Sequence, residues 1–135
     1  MKTRTIKQTV MFPTNPHEIF EMWIDSEKHA LFTGGAAEIG REVGSGFSTN
    51  DGYSTGMTLE LVPDKRIVQT WRANDWPPGH YSTITIKLTA VKGNTKLNFV
   101  QKGVPLEQYE EIRQGWYTYY WDPLREIFES KGQKT

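Results

Sequence analysis

Residues 106–130, LEQYEEIRQGWYTYYWDPLREIFES, constrain what this chain can fold into more than any other stretch. Tyr109, Ile112, Trp116, Tyr119 or Tyr120, Leu124, Ile127 and Phe128 recur at intervals of three and four, the spacing of one apolar helix face. Glu107, Glu110, Glu111, Arg113, Arg125, Glu126 and Glu129 fill most of the other face. A helix of about 25 residues spans roughly 37 Å, so its aromatic stripe needs a long cover. The preceding chain offers mainly strands, and the helix is expected to lie on a sheet. Pro123 lacks an N–H and its ring clashes one turn back. A kink, or a break and restart capped by Asp122, is therefore expected between Tyr119 and Pro123. Gly115 costs about 1 kcal/mol relative to alanine inside a helix, and reads as a point of close approach by backbone or a large side chain.

The strands come in order. Residues 3–12 alternate, with Ile6, Val10 and Phe12 on one face and Lys7 and Thr9 on the other. Asn15, Pro16 and Glu18 then spell a helix start, and Asp25 or Ser26 can cap a second short helix ending near Phe32. Residues 34–50 are rich in Gly and Ser and read as two short curved strands. Met57, Leu59 and Leu61 alternate with Thr58 and Glu60, Pro63-Asp64 turns the chain, and residues 66–73 return. A loop containing Trp76 and His80 leads to residues 81–91, and Gly93-Asn94 turns into a last strand over residues 95–102. Residues 103–105 break that strand and launch the long helix. Strand, two short helices, about six to seven antiparallel strands and a long helix make an α+β, helix-grip arrangement. A curved sheet gripping a helix leaves room for a cavity between them.

Length and composition bound the rest. The 135 residues suit one domain, spanning 1–135, with a core that needs no staples. There is no cysteine, hence no disulfide framework and no thiolate metal site. Net charge is zero without a basic block, which argues against a nucleic-acid partner. No apolar stretch approaches the about 20 residues that span a bilayer, so the expected location is cytoplasmic. Aromatic residues at 13% are the surplus a function has to use.

The stretch LVPDKRIVQTWRANDWPPGHYSTITIKL, followed by RQGWYTYYWDPLREIF, resembles the C-terminal domain of the eukaryotic activator of the ninety-kilodalton heat-shock protein's ATPase. Trp71-Arg72, Trp76-Pro77, Gly79-His80 and Gln114-Gly115-Trp116 with Tyr119-Tyr120 carry the likeness, which covers nearly the whole chain and is weakest over residues 34–55. The resemblance implies the helix-grip fold of the START-like and birch-pollen-allergen-like superfamily. In that co-chaperone a separate N-terminal domain makes the main chaperone contact, and no counterpart to it is expected here. Full chaperone activation is therefore not carried over.

Catalytic and metal patterns are missing from the sequence. His17, His29 and His80 are scattered without ligand spacing. No GxSxG occurs, the Gly-rich stretch lacks the order of a phosphate loop, and neighbouring Glu110 and Glu111 diverge on a helix. The expectation is a non-enzymatic binding domain without cofactor or metal, engaging a chaperone or other protein partner, or an apolar small molecule in the cavity. The expected cavity wall is Ile112, Trp116, Tyr119 or Tyr120 and Leu124 from the helix, facing Met57, Leu59, Gln69, Trp71, Ile84, Ile86, Leu97 and Phe99. Trp23 and Phe32 close one end, and Trp76 and His80 are candidate partner contacts. Facing inward, Gln69 needs a partner, with Tyr119, Tyr120 or a ligand as candidates; the competing register turns Val68 inward and Gln69 out. An alternative function is an enzyme of the aromatase/cyclase or hydratase type, with Tyr53, Tyr81 or Tyr120 as proton donors.

Overall fold

A computed structural model describes residues 1–132, with side chains through Glu129. Seven strands form one antiparallel sheet, β1 (Thr3–Phe12), β2 (Glu38–Ile39), β3 (Gly46–Thr49), β4 (Ser54–Val62), β5 (Arg66–Ala73), β6 (Ser82–Val91) and β7 (Asn94–Pro105), in the order β1-β7-β6-β5-β4-β3-β2. Two short helices follow β1, namely α1 (Pro16–Ile24) and α2 (Ser26–Thr33). Asn15 accepts the amide of Glu18 and Asp25 that of Lys28, so each helix begins where a side chain supplies a cap. The chain closes with a 3-10 turn (Leu106–Gln108), α3 (Tyr109–Trp116), a π turn (Tyr117–Trp121) and α4 (Asp122–Gly132). This is the helix-grip arrangement.

Two junctions differ from expectation. Strand β7 does not stop at Lys102 but runs to Pro105, because β1 continues to pair with it as far as Thr3. The long helix neither breaks nor restarts at Asp122, which is itself helical (φ −68°) and whose N–H bonds to the carbonyl of Tyr117. The wide turn gives room around the carbonyl that the Pro123 ring would otherwise strike. It also inserts one residue into the helical count. Tyr120 and Trp121 consequently both face the core, while Tyr119 turns out and is 59% exposed.

Three indoles, Trp23, Trp116 and Trp121, lie at the centre with ring centroids 5.9–6.1 Å apart and nearly parallel planes. Each donates its N–H to a glutamine carbonyl from a different strand: Trp23 to Gln69 on β5 (3.0 Å), Trp116 to Gln101 on β7 (2.8 Å) and Trp121 to Gln8 on β1 (2.7 Å). Each amide nitrogen in turn donates to Thr58, Ser82 or the carbonyl of Arg113. A buried polar atom without a partner is costly, so these pairs fix which indole meets which strand. Gln69 thus lies inside, as do Ile67 and Trp71, but its partners are Trp23 and Thr58 rather than a helix tyrosine.

Strand β4 departs from its expected facing. Met57 and Leu59 are 47% and 45% exposed and do not line the interior. Thr58 points inward instead, held by Gln69, and a bulge between Thr58 and Glu60 changes the parity beyond it so that Leu61 reaches the core. Replacing Gln69 with leucine strands the N–H of Trp23 and frees Thr58. We expect a loss of about 1–3 kcal/mol in urea unfolding. An unchanged midpoint would show that the Trp23–Gln69 bond contributes nothing.

Candidate functional site

The expected interior wall is largely a filled core. Trp23, Phe32, Ile84, Ile86, Leu97, Phe99 and Leu124 are all buried, and Phe99 meets Trp116 at 4.6 Å. The void between Trp23, Gln69, Trp71 and Tyr120 measures about 10 Å³, room for about one water molecule. A separate space of about 370 Å³ is an open cleft lined by the C-terminal helix, by Trp71 of β5 and by the turns beside them. Of the expected wall, the fold brings Trp71, Ile112, Trp116, Tyr119 and Tyr120 to this cleft.

Two loops supply the rim that the sequence did not disclose. Thr33 ends α2 and Gly34 and Gly35 follow it, while Asn50 and Asp51 precede β4. A Cβ on Gly35 would sit 2.9 Å from the Cα of Asn50, so only glycine lets the loops touch. Asp51 accepts the amide of Ala36 at 2.7 Å, tying the two together. Asn50 and Asp51 both hold positive φ (55° and 59°), a conformation that Asn and Asp tolerate better than most residues. Tyr53 and Glu111 complete the sides. Burial, helped by Asp75 and Glu111 nearby, pushes the Tyr53 hydroxyl up to about 12.

Gly115 faces the cleft, and nothing approaches it closely. A Cβ there would meet only a Tyr119 ring carbon, at an ordinary 3.8 Å. The expectation of close approach is therefore corrected: this glycine leaves open space in the cleft instead of admitting a neighbour.

Beneath the floor lies a polar cluster. The Nδ1 of His29 faces the carbonyl of Trp23 at 2.9 Å, so that nitrogen carries the proton and Nε2 accepts from the Tyr120 hydroxyl at 2.9 Å. Asn50 donates to the Tyr120 oxygen (3.0 Å) and to Ser54 (3.2 Å), which bonds Thr49. Burial lowers His29 to about 4 and raises Tyr120 to about 12, outweighing Thr49 and Asn50, which favour the phenolate, in the second case. At neutral pH both are uncharged, and the single Tyr120 proton is committed to His29. Sequence spacing missed His29 because its partner is 91 residues away.

The remaining candidates fall elsewhere. Tyr81 is 48% exposed outside the cleft. Trp76, expected as a partner contact, is buried edge-on against Trp71 at 5.3 Å. His80 bonds the carbonyl of Gly103 at 2.7 Å. Among the described residues, no group of three or more His, Asp or Glu is placed to hold a metal. No described helix is long and apolar enough to cross a membrane.

The decisive comparison is with the family described as "Activator of Hsp90 ATPase homolog 1-like protein", whose profile matches residues 13–129. The chain belongs to this family. It is 36% identical over 124 residues to the human "Activator of 90 kDa heat shock protein ATPase homolog 1", a match covering 92% of this chain and 36% of that protein. The corresponding Dictyostelium discoideum activator homologue is 30% identical, over 93% of this chain and 33% of its own length. This member of the family thus spans about a third of those curated relatives. A solved HSP90 activator from Plasmodium falciparum superposes with a TM-score of 0.87 at 25% identity, covering 91% of this chain and 94% of the other.

Proposed function

We propose that this chain is a non-enzymatic regulatory domain that engages a protein partner, a chaperone of the ninety-kilodalton heat-shock class, through the cleft beside its C-terminal helix. Family membership supports a binding or regulatory role. One observation carries the choice of mode: the polar groups under the cleft satisfy one another, while the cleft itself stays open. Tyr120 would have to abandon His29 to protonate a substrate, which counts against the aromatase/cyclase or hydratase alternative. An apolar ligand fully enclosed between sheet and helix would have to displace the stacked indoles. A partner segment resting in the open cleft displaces nothing.

Calorimetric titration of the purified chaperone into this chain tests the reading. Saturable binding is expected, weakened about tenfold or more by Tyr119→Ala, on the scale of a truncated interface aromatic. Absence of heat and of a complex at the highest attainable concentrations would overturn it.

A further inference from the structure

Beyond the general engagement of a partner, the cleft has a chemistry of its own. Its charged lining residues are Asp51 and Glu111, with no lysine, arginine or histidine in the wall. Neither carboxylate has an ion-pair partner among the described residues, and the neighbouring Arg113 is held by Glu110 at 3.0 Å. Aromatic rings supply the walls: Tyr53, Trp71, Trp116 and the exposed Tyr119. Ring faces attract cations electrostatically, and two carboxylates at the rim add to that attraction. Gly115 keeps the helix side open although a methyl group would fit there and would favour the helix. The room beside this glycine is left unfilled by the chain itself. A volume of about 370 Å³ suits one side chain with its flanking backbone.

We propose that the cleft is a receptor for a basic side chain, a lysine or arginine presented by the protein partner, its charged end at Asp51 and Glu111 and its alkyl stem along the aromatic walls. The inference rests on the partner-binding reading and names what that partner must present. Long basic side chains match both halves of the site, since their stems pack on apolar surface while their ends keep their charge.

The test uses three capped single residues, N-acetyl N-methylamides of lysine, arginine and norleucine, titrated into the isotopically labelled protein. The lysine or arginine probe is expected to shift the amide signals of Gly35, Asp51, Gly115 and Tyr119, and norleucine is expected to leave them in place. Glu111→Gln should weaken the shifts severalfold. Gly115→Leu, checked by a dispersed spectrum showing that it folds, should abolish them by filling the cleft. No shift with either cation, or an equal response to norleucine, would overturn the proposal. A chaperone that binds the cleft while the cationic probes do not would remove this inference alone. Probes that bind while the chaperone does not would remove the partner reading instead.

Discussion

Replacing Trp116 with alanine is expected to destabilise the protein by roughly 3–5 kcal/mol, the range for a fully packed large aromatic. Trp116 is 3% exposed and stacks with Trp23 and Trp121 while touching Phe99 and Trp71. Its loss empties the middle of the aromatic core and leaves the carbonyl oxygen of Gln101 without its donor. Urea unfolding measures the change directly. Trp116→Phe should cost less, because a ring still fills part of the space and only the N–H and the extra atoms are lost. An unaltered midpoint for the alanine variant would mean that the indole stack does not support the fold.

Acid should weaken the protein through His29. Its folded value lies near 4, below the ordinary 6.5, because burial disfavours the imidazolium. Between those values the unfolded chain takes up a proton that the folded chain refuses. Stability is therefore at its full value above about pH 6.5, falls as pH drops toward about 4, and levels off below it as far as this group is concerned. The loss across that window is about 3 kcal/mol from this one residue. His29→Gln keeps an amide able to donate and accept, and should flatten the part of the pH profile that His29 causes, whatever its effect at neutral pH. Parallel profiles for the two proteins would show that His29 titrates normally and is not sealed beneath Tyr120.

Much of the architecture was legible because it rests on period. Alternation gave the strands, and the spacing of Ile112, Trp116 and Leu124 gave the core face of the helix. Asn15 and Asp25 announced the short helices through their caps. The errors fall where one residue is added to the count. The π turn brings Trp121, five residues after Trp116, into the core, a spacing no α-helical pattern assigns, although Pro123 signalled an irregularity nearby. The bulge in β4 does the same to the expected Met57, Leu59 and Leu61 face: Thr58 before it, held by Gln69, and Leu61 after it both turn inward, a combination that strict alternation does not assign. Gln8 shares the inner parity of Ile6 and Val10, and Gln101 that of Leu97 and Phe99, so alternation turns both inward; what spacing does not show is the indole each one meets. The cleft suffered most. Its rim comes from turns at Gly34-Gly35 and Asn50-Asp51, legible as turns, but nothing in their composition shows that they meet each other beside Gly115.

On the proposed reading the cleft, rather than the outer face of the sheet, meets the partner. Amide chemical-shift mapping of the labelled protein with the unlabelled chaperone tests this most directly. The predicted result is a cluster of perturbed signals at Gly34, Gly35, Asp51, Tyr53, Glu111, Gly115 and Tyr119, with the amides around Met57 and Leu59 unmoved. Perturbation centred on Met57 and Leu59, with the cleft silent, would contradict it.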